Sequence, residues 1–318
     1  MSAALVAVVG AGGWMGLGGG EAGRGGVSGK DGAAHAPQRA AALARLDLPW
    51  PQEGQASVEV EGVGSLGSRG GREPVPIASV AKVMTAYVIL KAHPLKHGEN
   101  GPQIEVDQIA AQEALSLSES TAPIRQGQRL SQREHLELLL LPSGNNVARL
   151  LARWDAGSQE AFVAKMNRAA AKLGMTRTTY TGASGIEATT RSTADDQLKL
   201  ARAAMREPAL RSIVALRETT IPGVPGTITN TNRLLDKPGV IGLKTGSSTP
   251  AGGNLMWAAE VGAGQKRRLV LGVVLGQHDA GPSAGLQAAV EGSGRLIDAV
   301  QDKLPAALDG RDDRLVQS

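Results

Sequence analysis

The sequence predicts an α+β domain: an antiparallel sheet assembled from both ends of the chain, with a mostly helical segment inserted between them. Three observations lead there. Ala56, Val58 and Val60 alternate with polar neighbours near the start, and residues 240–246, 254–261 and 268–276 read as further strands near the end. Between them the apolar spacing is helical, beginning with a run from Ala78 to Leu90 that is apolar on almost every side. No internal repeat and no βαβ alternation occurs.

The elements follow in order. The stretch from Gly62 to Gly71 is glycine-rich and reads as a turn region, with a second strand leading to Ile77. The apolar run from Ala78 onward reads as a buried helix with Ser79 at its start and Lys82 one turn on, so that both project from one face. Ser131-Gln-Arg-Glu134 is a capping box before Leu136 and residues 138–141, and Pro142 ends that helix. Ser143-Gly-Asn145 is then expected in the loop that follows. Ser158 opens a helix closed by Gly174. Thr193 with Asp196 opens another that runs to Met205 before Pro208, and residues 286–304 form a final amphipathic helix.

Composition narrows the function. The chain has 318 residues, enough to bury a sizeable core, but only 2% are aromatic, so that core is built from Leu, Val, Ile, Ala and Met. The absence of cysteine excludes disulfides, thiolate catalysis and Cys-based zinc sites. The net charge of +4 is spread without a stripe or an aromatic platform, which argues against nucleic acid as a partner. No pair of the five histidines forms H-E-x-x-H, and His93 with His97 falls in a Pro/Gly-containing loop, so no metal and no other cofactor is expected.

Three short motifs carry the chemistry: Ser79-Val-Ala-Lys82, Ser143-Gly-Asn145 and Lys244-Thr-Gly246, each occurring once and in that order. Taken singly, Ser79 reads as a helix N-cap, Ser143-Gly-Asn145 as a post-helix turn and Lys244-Thr-Gly246 as a strand end. About one S-x-x-K is expected by chance in a chain of this length. Together the motifs equip acyl transfer on a substrate that ends in a carboxylate. A serine hydroxyl needs a base, and Lys82 lies within reach if burial and a second cation, for which Lys244 is the candidate, favour its neutral form. Backbone amides at the helix start and at Ser247 can hold an oxyanion. Lys244 and Thr245 can grip a carboxylate, and Gly246 lets backbone approach the substrate. Ser143 can relay a proton to the leaving amine, and Asn145 can hold a substrate amide.

With these motifs in place, the stretches PIASVAKVMTAYVIL, LLLPSGNNVARLLA, FVAKMNRAAAKLGMTRTTYTGASGI, STADDQLKLA, NTNRLL and GVIGLKTGSSTPAGGNL resemble segments of one family. It is the S11 peptidases, serine-type D-Ala-D-Ala carboxypeptidases among the low-molecular-mass penicillin-binding proteins, and the likeness runs roughly from Gln55 to Gly276. The resemblance implies the penicillin-binding protein/β-lactamase-like transpeptidase fold. It implies acylation of Ser79 by the penultimate D-alanine of peptidoglycan stem peptides, loss of the terminal D-alanine, and acylation by β-lactams. An extracytoplasmic location at the outer membrane face or in the wall space follows from that substrate. Two positions depart from the family pattern: Asn146 stands where the family has Asp after S-G-N, and the N-P-x-G-L segment appears as Gly182-Ala-Ser-Gly-Ile186.

Two rivals remain in view. A class A-like serine β-lactamase shares fold and motifs, but it carries a deacylating glutamate on an E-x-x-L-N segment after the second motif. Glu160 and Glu187 in that interval lack Leu and Asn at those offsets. A non-catalytic muropeptide- or β-lactam-binding domain is expected to have lost a catalytic group, and none is missing. The expected layout is a weak apolar export or anchor segment over 1–20, a disordered linker over 21–45, the peptidase domain over 46–305 and a disordered tail over 306–318. With little sequence after the final helix, membrane anchoring is expected from the N-terminal end.

Overall fold

A computed structural model describes Leu43 and residues 46–309, apart from residues 97, 263, 265 and 266. The expected export segment, and all of the linker but Leu43, therefore lie outside the described residues, as does the tail beyond residue 309. The expected boundaries shift at both ends. Leu43, placed in the linker, is buried in the core beside Leu48 and Val58. The last helix runs through residues 306–309, so order passes the expected end at 305.

The sheet has five antiparallel strands: β1 (Gln55–Val60), β2 (Gly64–Arg69), β3 (Val240–Ser248), β4 (Gly252–Val261) and β5 (Arg268–Gln277). Their order is β2-β1-β5-β4-β3, so the strand from the start of the chain pairs directly with the last one. The expected assembly of one sheet from both chain ends is borne out. One correction concerns residues 62–71: the turn is confined to the residues after Val60, and β2 forms within the glycine-rich stretch. A β-bulge at Val58/Glu59 lets that irregular sequence pair.

Strand alternation sends successive side chains to opposite faces. From β4, Met256 and Ala258 join Leu271, Val273 and Leu275 of β5 in the core under the helical layer. Leu255, Trp257, Ala259 and Val261 face the other way, toward Leu296, Ile297, Val300 and Leu304 of the C-terminal helix α8 (Pro282–Asp309), if helices are numbered over the described residues. Trp257 is fully buried there because its cross-strand partner is Gly272, which leaves a hollow for the indole.

The inserted helices cover the first face. They begin with a 3₁₀ turn, Ala78–Ala81, that runs into α1 (Lys82–Ala92). Next come α2 (Gln108–Glu113), α3 (Gln132–Leu140), α4 (Asn145–Ala156), α5 (Gln159–Lys172), α6 (Ala194–Met205) and α7 (Pro208–Val214). The expected caps form: Ser131 and Glu134 close a reciprocal capping box on α3, Ser158 caps α5, and Thr193 caps α6. Helix α1 lies at the centre of the layer with Val83, Met84, Ala86, Ile89 and Leu90 buried, as an all-round apolar helix should be.

Two differences from the sequence reading matter for the site. Ser79 sits in the 3₁₀ turn rather than in the α-helix, and Asn145 is the first residue of α4 rather than part of a loop.

A methyl group at Gly272 would lie 2.1 Å from the Trp257 ring, and the fully buried ring has nowhere to retreat. Gly272→Ala is expected to cost about 2 kcal/mol or more of stability, the range for overpacking a dense core. A urea-unfolding midpoint measured against the parent protein checks it.

Candidate active site

The chain enters the site under strain. Ala78 and Ser143 are the two non-glycine residues with left-handed backbone among those described, at φ +46° and +68°. Such conformations cost on the order of 1 kcal/mol each and persist only where surrounding structure enforces them. Around Ala78 the enforcing contact is visible. Gly185 packs so closely that a Cβ on it would stand 2.0 Å from the Ala78 carbonyl oxygen. At the other side, a Cβ on Gly246 of β3 would stand 3.0 Å from the Ser79 amide nitrogen. Glycine at both positions lets the edge strand and the 183–186 loop clasp the turn that carries Ser79.

Lys82 is wholly buried one helical turn on. Its Nζ lies 2.8 Å from Ser79 Oγ, 2.5 Å from Asn145 Oδ1 and 2.9 Å from the Ser184 carbonyl oxygen. Burial depresses its pKa well below the ordinary lysine value, reinforced by the charges of Lys244 and Arg149 and opposed by Glu119 and Glu187. Lys244, on β3, is also buried, and burial brings its pKa down to about 7. Its one hydrogen bond among the described residues is a long one, 3.5 Å to Thr245 Oγ1. Thr245 Oγ1 in turn shares a 2.6 Å bond with Thr231 Oγ1.

Two of the remaining sequence-derived residues, Asn145 and Ser247, share a cleft with Ser79. Ser79, Asn145 and Ser247 line a cavity of about 530 Å³ together with Glu119, Gly185, Ile186 and Leu117. Ser143 Oγ is buried without a hydrogen-bond partner among the described residues. Asn145 is already engaged on both ends of its amide, by Lys82 through Oδ1 and by Glu119 through Nδ2 at 2.7 Å. Among the described residues no group of three or more potential ligands could hold a metal. His93 instead meets the Asp155 carboxylate at 3.0 Å and packs on Trp154.

Two ionisable neighbours, Glu119 and Arg149, escaped the sequence reading, and a third, Glu187, entered it only as a glutamate without the Leu and Asn of a deacylating segment. Glu119 sits in an irregular loop where no periodicity signals its direction. Arg149 stands four residues after Asn145, a same-face spacing that becomes readable once Asn145 is known to begin a helix. Glu187 follows the 183–186 loop, and its carboxylate rests against Gly182, where a Cβ would come within 2.1 Å of it.

With this geometry in hand, comparison with known proteins is informative. Residues 65–279 match the family model described as Peptidase S11, D-alanyl-D-alanine carboxypeptidase. The chain belongs to that family. It is accordingly a serine-type D-Ala-D-Ala carboxypeptidase by class, a hydrolase. Among its relatives is a D-alanyl-D-alanine endopeptidase of Pseudomonas aeruginosa, 35% identical over 218 residues that span 65% of this chain and 68% of the relative. A D-alanyl-D-alanine carboxypeptidase of Mycobacterium tuberculosis is 35% identical over 222 residues, 67% of this chain and 72% of the relative. The crystal structure of the Streptomyces K15 DD-transpeptidase superposes with a TM-score of 0.67 at 25% identity, covering 77% of this chain and 95% of that one. The expected penicillin-binding fold is thereby borne out.

The family frame gives meaning to Asn146, the departure from Asp. Its Nδ2 donates to the carbonyl oxygens of Ala110 (3.2 Å) and Ala122 (3.0 Å), while its Oδ1 accepts from the Ala122 amide (3.0 Å). A carboxylate could accept the third bond but not donate the first two. Asn146 thus pins the loop that carries Glu119 to the start of α4.

Lys244 also makes a prediction about stability. Its folded-state pKa of about 7 lies below the ordinary unfolded value of about 10.4, so between those pH values the folded protein binds fewer protons than the unfolded chain. Stability from this group therefore rises with pH across that window. Lys244→Met removes a buried amine with one weak bond, so at pH 7 it is expected to raise Tm by roughly 3 °C or more. The gain should shrink as pH approaches about 10. Thermal melts at pH 7 and pH 9.5 check both statements.

Proposed function

We propose that the cleft cleaves the terminal D-alanine from peptidoglycan stem peptides through an acyl-enzyme on Ser79. The observation that carries this reading is the 2.8 Å contact between Ser79 Oγ and the wholly buried amine of Lys82. A buried amine of depressed pKa is a competent base near neutral pH, where an exposed lysine is not.

In this scheme neutral Lys82 takes the proton of Ser79 Oγ as that oxygen attacks the carbonyl carbon of the penultimate D-alanine. The tetrahedral oxygen is held by the backbone amides of Ser79 and Ser247. Ser143, whose hydroxyl has no partner among the described residues, passes a proton to the departing amine. Collapse breaks the C–N bond, D-alanine leaves, and water hydrolyses the ester. Lys244 and Thr245 hold the substrate carboxylate by charge-assisted hydrogen bonds, and Gly246 leaves room for the peptide beside β3. The carboxylate raises the pKa of Lys244 on binding and so recruits the charge it needs.

β-Lactams present the same carboxylate and a strained amide to the same serine, and opening of the ring leaves the acyl group attached because the leaving amine stays tethered. Peptidoglycan places this activity outside the cytoplasmic membrane. Among the described residues no helix is long and apolar enough to cross a membrane. Relatives include a carboxypeptidase, an endopeptidase and a transpeptidase. The apolar rim formed by Leu117, fully exposed, and Ile186 at the cleft mouth suits the acyl side of the peptide.

A β-lactam pulse followed by intact-mass measurement is expected to add one acyl group to the parent protein and none to Ser79→Ala, with D-alanine release lost in the same variant. An adduct on Ser79→Ala would sink the scheme. The pH profile of kcat/KM is expected to be bell-shaped, its alkaline limb setting in near pH 7 as free-enzyme Lys244 loses its proton.

A further inference from the structure

The wall of the cleft holds a chain of polar groups that leads away from Ser79 and ends outside the three motifs. Asn145 Nδ2 donates to Glu119 Oε2 at 2.7 Å. Arg149 Nη2 donates to Glu119 Oε1 at 2.6 Å and its Nη1 to Oε2 at 3.2 Å. Arg149 Nε is held in turn by Glu113 Oε1 at 2.9 Å. Glu119 and Arg149 are little exposed, at 12% and 13% of their side chains, so the pair is not a loose surface bridge.

The consequence lies in proton bookkeeping at Lys82. A neutral amine has two N–H donors and one lone pair. Three groups face Lys82 Nζ: Ser79 Oγ, Asn145 Oδ1 and the Ser184 carbonyl oxygen. The Ser184 carbonyl can only accept. Asn145 can present either its oxygen or its NH2, because the amide is nearly symmetric in shape. If it presents oxygen, both N–H donors are occupied and the lone pair is left for the Ser79 hydroxyl. If it presents NH2, that group donates into the lone pair and the base is blocked. The ionised carboxylate of Glu119 can only accept, so it takes the NH2 and forces the oxygen toward Lys82.

We propose that Glu119, clamped by Arg149, is a positioning residue for acylation: it fixes the Asn145 amide so that the lone pair of neutral Lys82 is aimed at Ser79 Oγ. The inference rests on the Ser79 and Lys82 roles proposed above. Glu119 itself transfers no proton. Its two oxygens both accept from Arg149 and one also accepts from Asn145, which leaves it a poor base for activating water. Burial works to raise its pKa, but the hydrogen bonds from Arg149 and Asn145 and the charges of Arg149 and Lys82 outweigh that and hold it below the usual carboxylate value. It therefore stays ionised, and acceptor-only, across the working pH range.

The test compares full-length parent, E119A, E119Q and R149M by the acylation rate with a fluorescent penicillin from pH 5 to 9, with D-alanine-release kinetics and Tm alongside. The charges facing Lys82 are Lys244 from β3, Arg149 from α4, Glu119 from its loop and Glu187 beyond the 183–186 loop. Removing the Glu119 charge lowers the Lys82 pKa, so the acid limb of E119Q moves to lower pH. Removing the Arg149 charge raises it, so the acid limb of R149M moves to higher pH. At the plateau E119A is expected to lose roughly tenfold or more in acylation rate and kcat, a fraction of what a general base contributes, with KM within about twofold. R149M keeps the acceptor and stays within a few-fold of the parent. An E119A plateau within twofold of the parent overturns the proposal, as do acid limbs of E119Q and R149M that move together or not at all. If E119A does not fold, the opposed acid limbs of E119Q and R149M decide alone. Loss of the Ser79 adduct in the parent protein would instead overturn the underlying serine assignment.

Discussion

The burial of one amine, Lys82, is the constraint around which the rest of the molecule is arranged. An amine wholly removed from water is costly unless every polar atom it touches is placed to receive it. The helical layer supplies that setting: α1 carries Lys82 through the centre of the core, α4 begins at Asn145 beside it, and the loop after Ala183 turns the Ser184 carbonyl inward. The sheet closes the last side with β3, whose Gly246 reaches the Ser79 amide. Two layers that pack through ordinary aliphatic cores thus meet at one polar seam. That is why an α+β fold with a sheet built from both chain ends is useful here: it brings an edge strand from the end of the chain against a helix from its beginning.

The seam is electrostatically lopsided. Lys82, Lys244 and Arg149 bring three basic groups to one seam, and among the described residues the Lys244 amine has only a long bond to Thr245 in return. A site selected for stability alone would not hold a buried lysine with so little compensation. A site that must hold a carboxylate has reason to keep one, because the missing partner arrives with the substrate. The same logic applies to the Ser143 hydroxyl, which is buried and has no partner among the described residues. Polar groups left unsatisfied in a dense interior point to chemistry that completes them.

Much of this was legible in the sequence, and the parts that were not share a cause. The helix caps and glycine stops read correctly because they depend on neighbours within four residues, as at Ser131 with Glu134 and at Thr193 with Asp196. The family resemblance located the motifs, and the structure gathers Ser79, Lys82, Asn145 and Ser247 about one cleft. What failed was local in sequence but decided at a distance. Strand β2 forms in a glycine-rich stretch because β1 offers it a pairing edge. Asn145 begins a helix after a strained Ser143 because Asn146 ties it to Ala110 and Ala122. Glu119 lies in a loop with no period, so nothing local announces where its carboxylate goes.

Asn146 and Glu119 are better understood as one device than as two details. Asn146 holds the loop by both ends of its amide, and that loop delivers the Glu119 carboxylate to the neighbouring residue, Asn145. An aspartate at 146 would bring a negative charge to two carbonyl oxygens and release the loop, so the departure from the family pattern and the carboxylate in the cleft support each other. Arg149, one turn along the same helix, then neutralises the charge so delivered without competing for Asn145. Three residues on the first turn and a half of α4 therefore divide the work. Asn145 faces the base, Asn146 faces the loop, and Arg149 faces the acid between them.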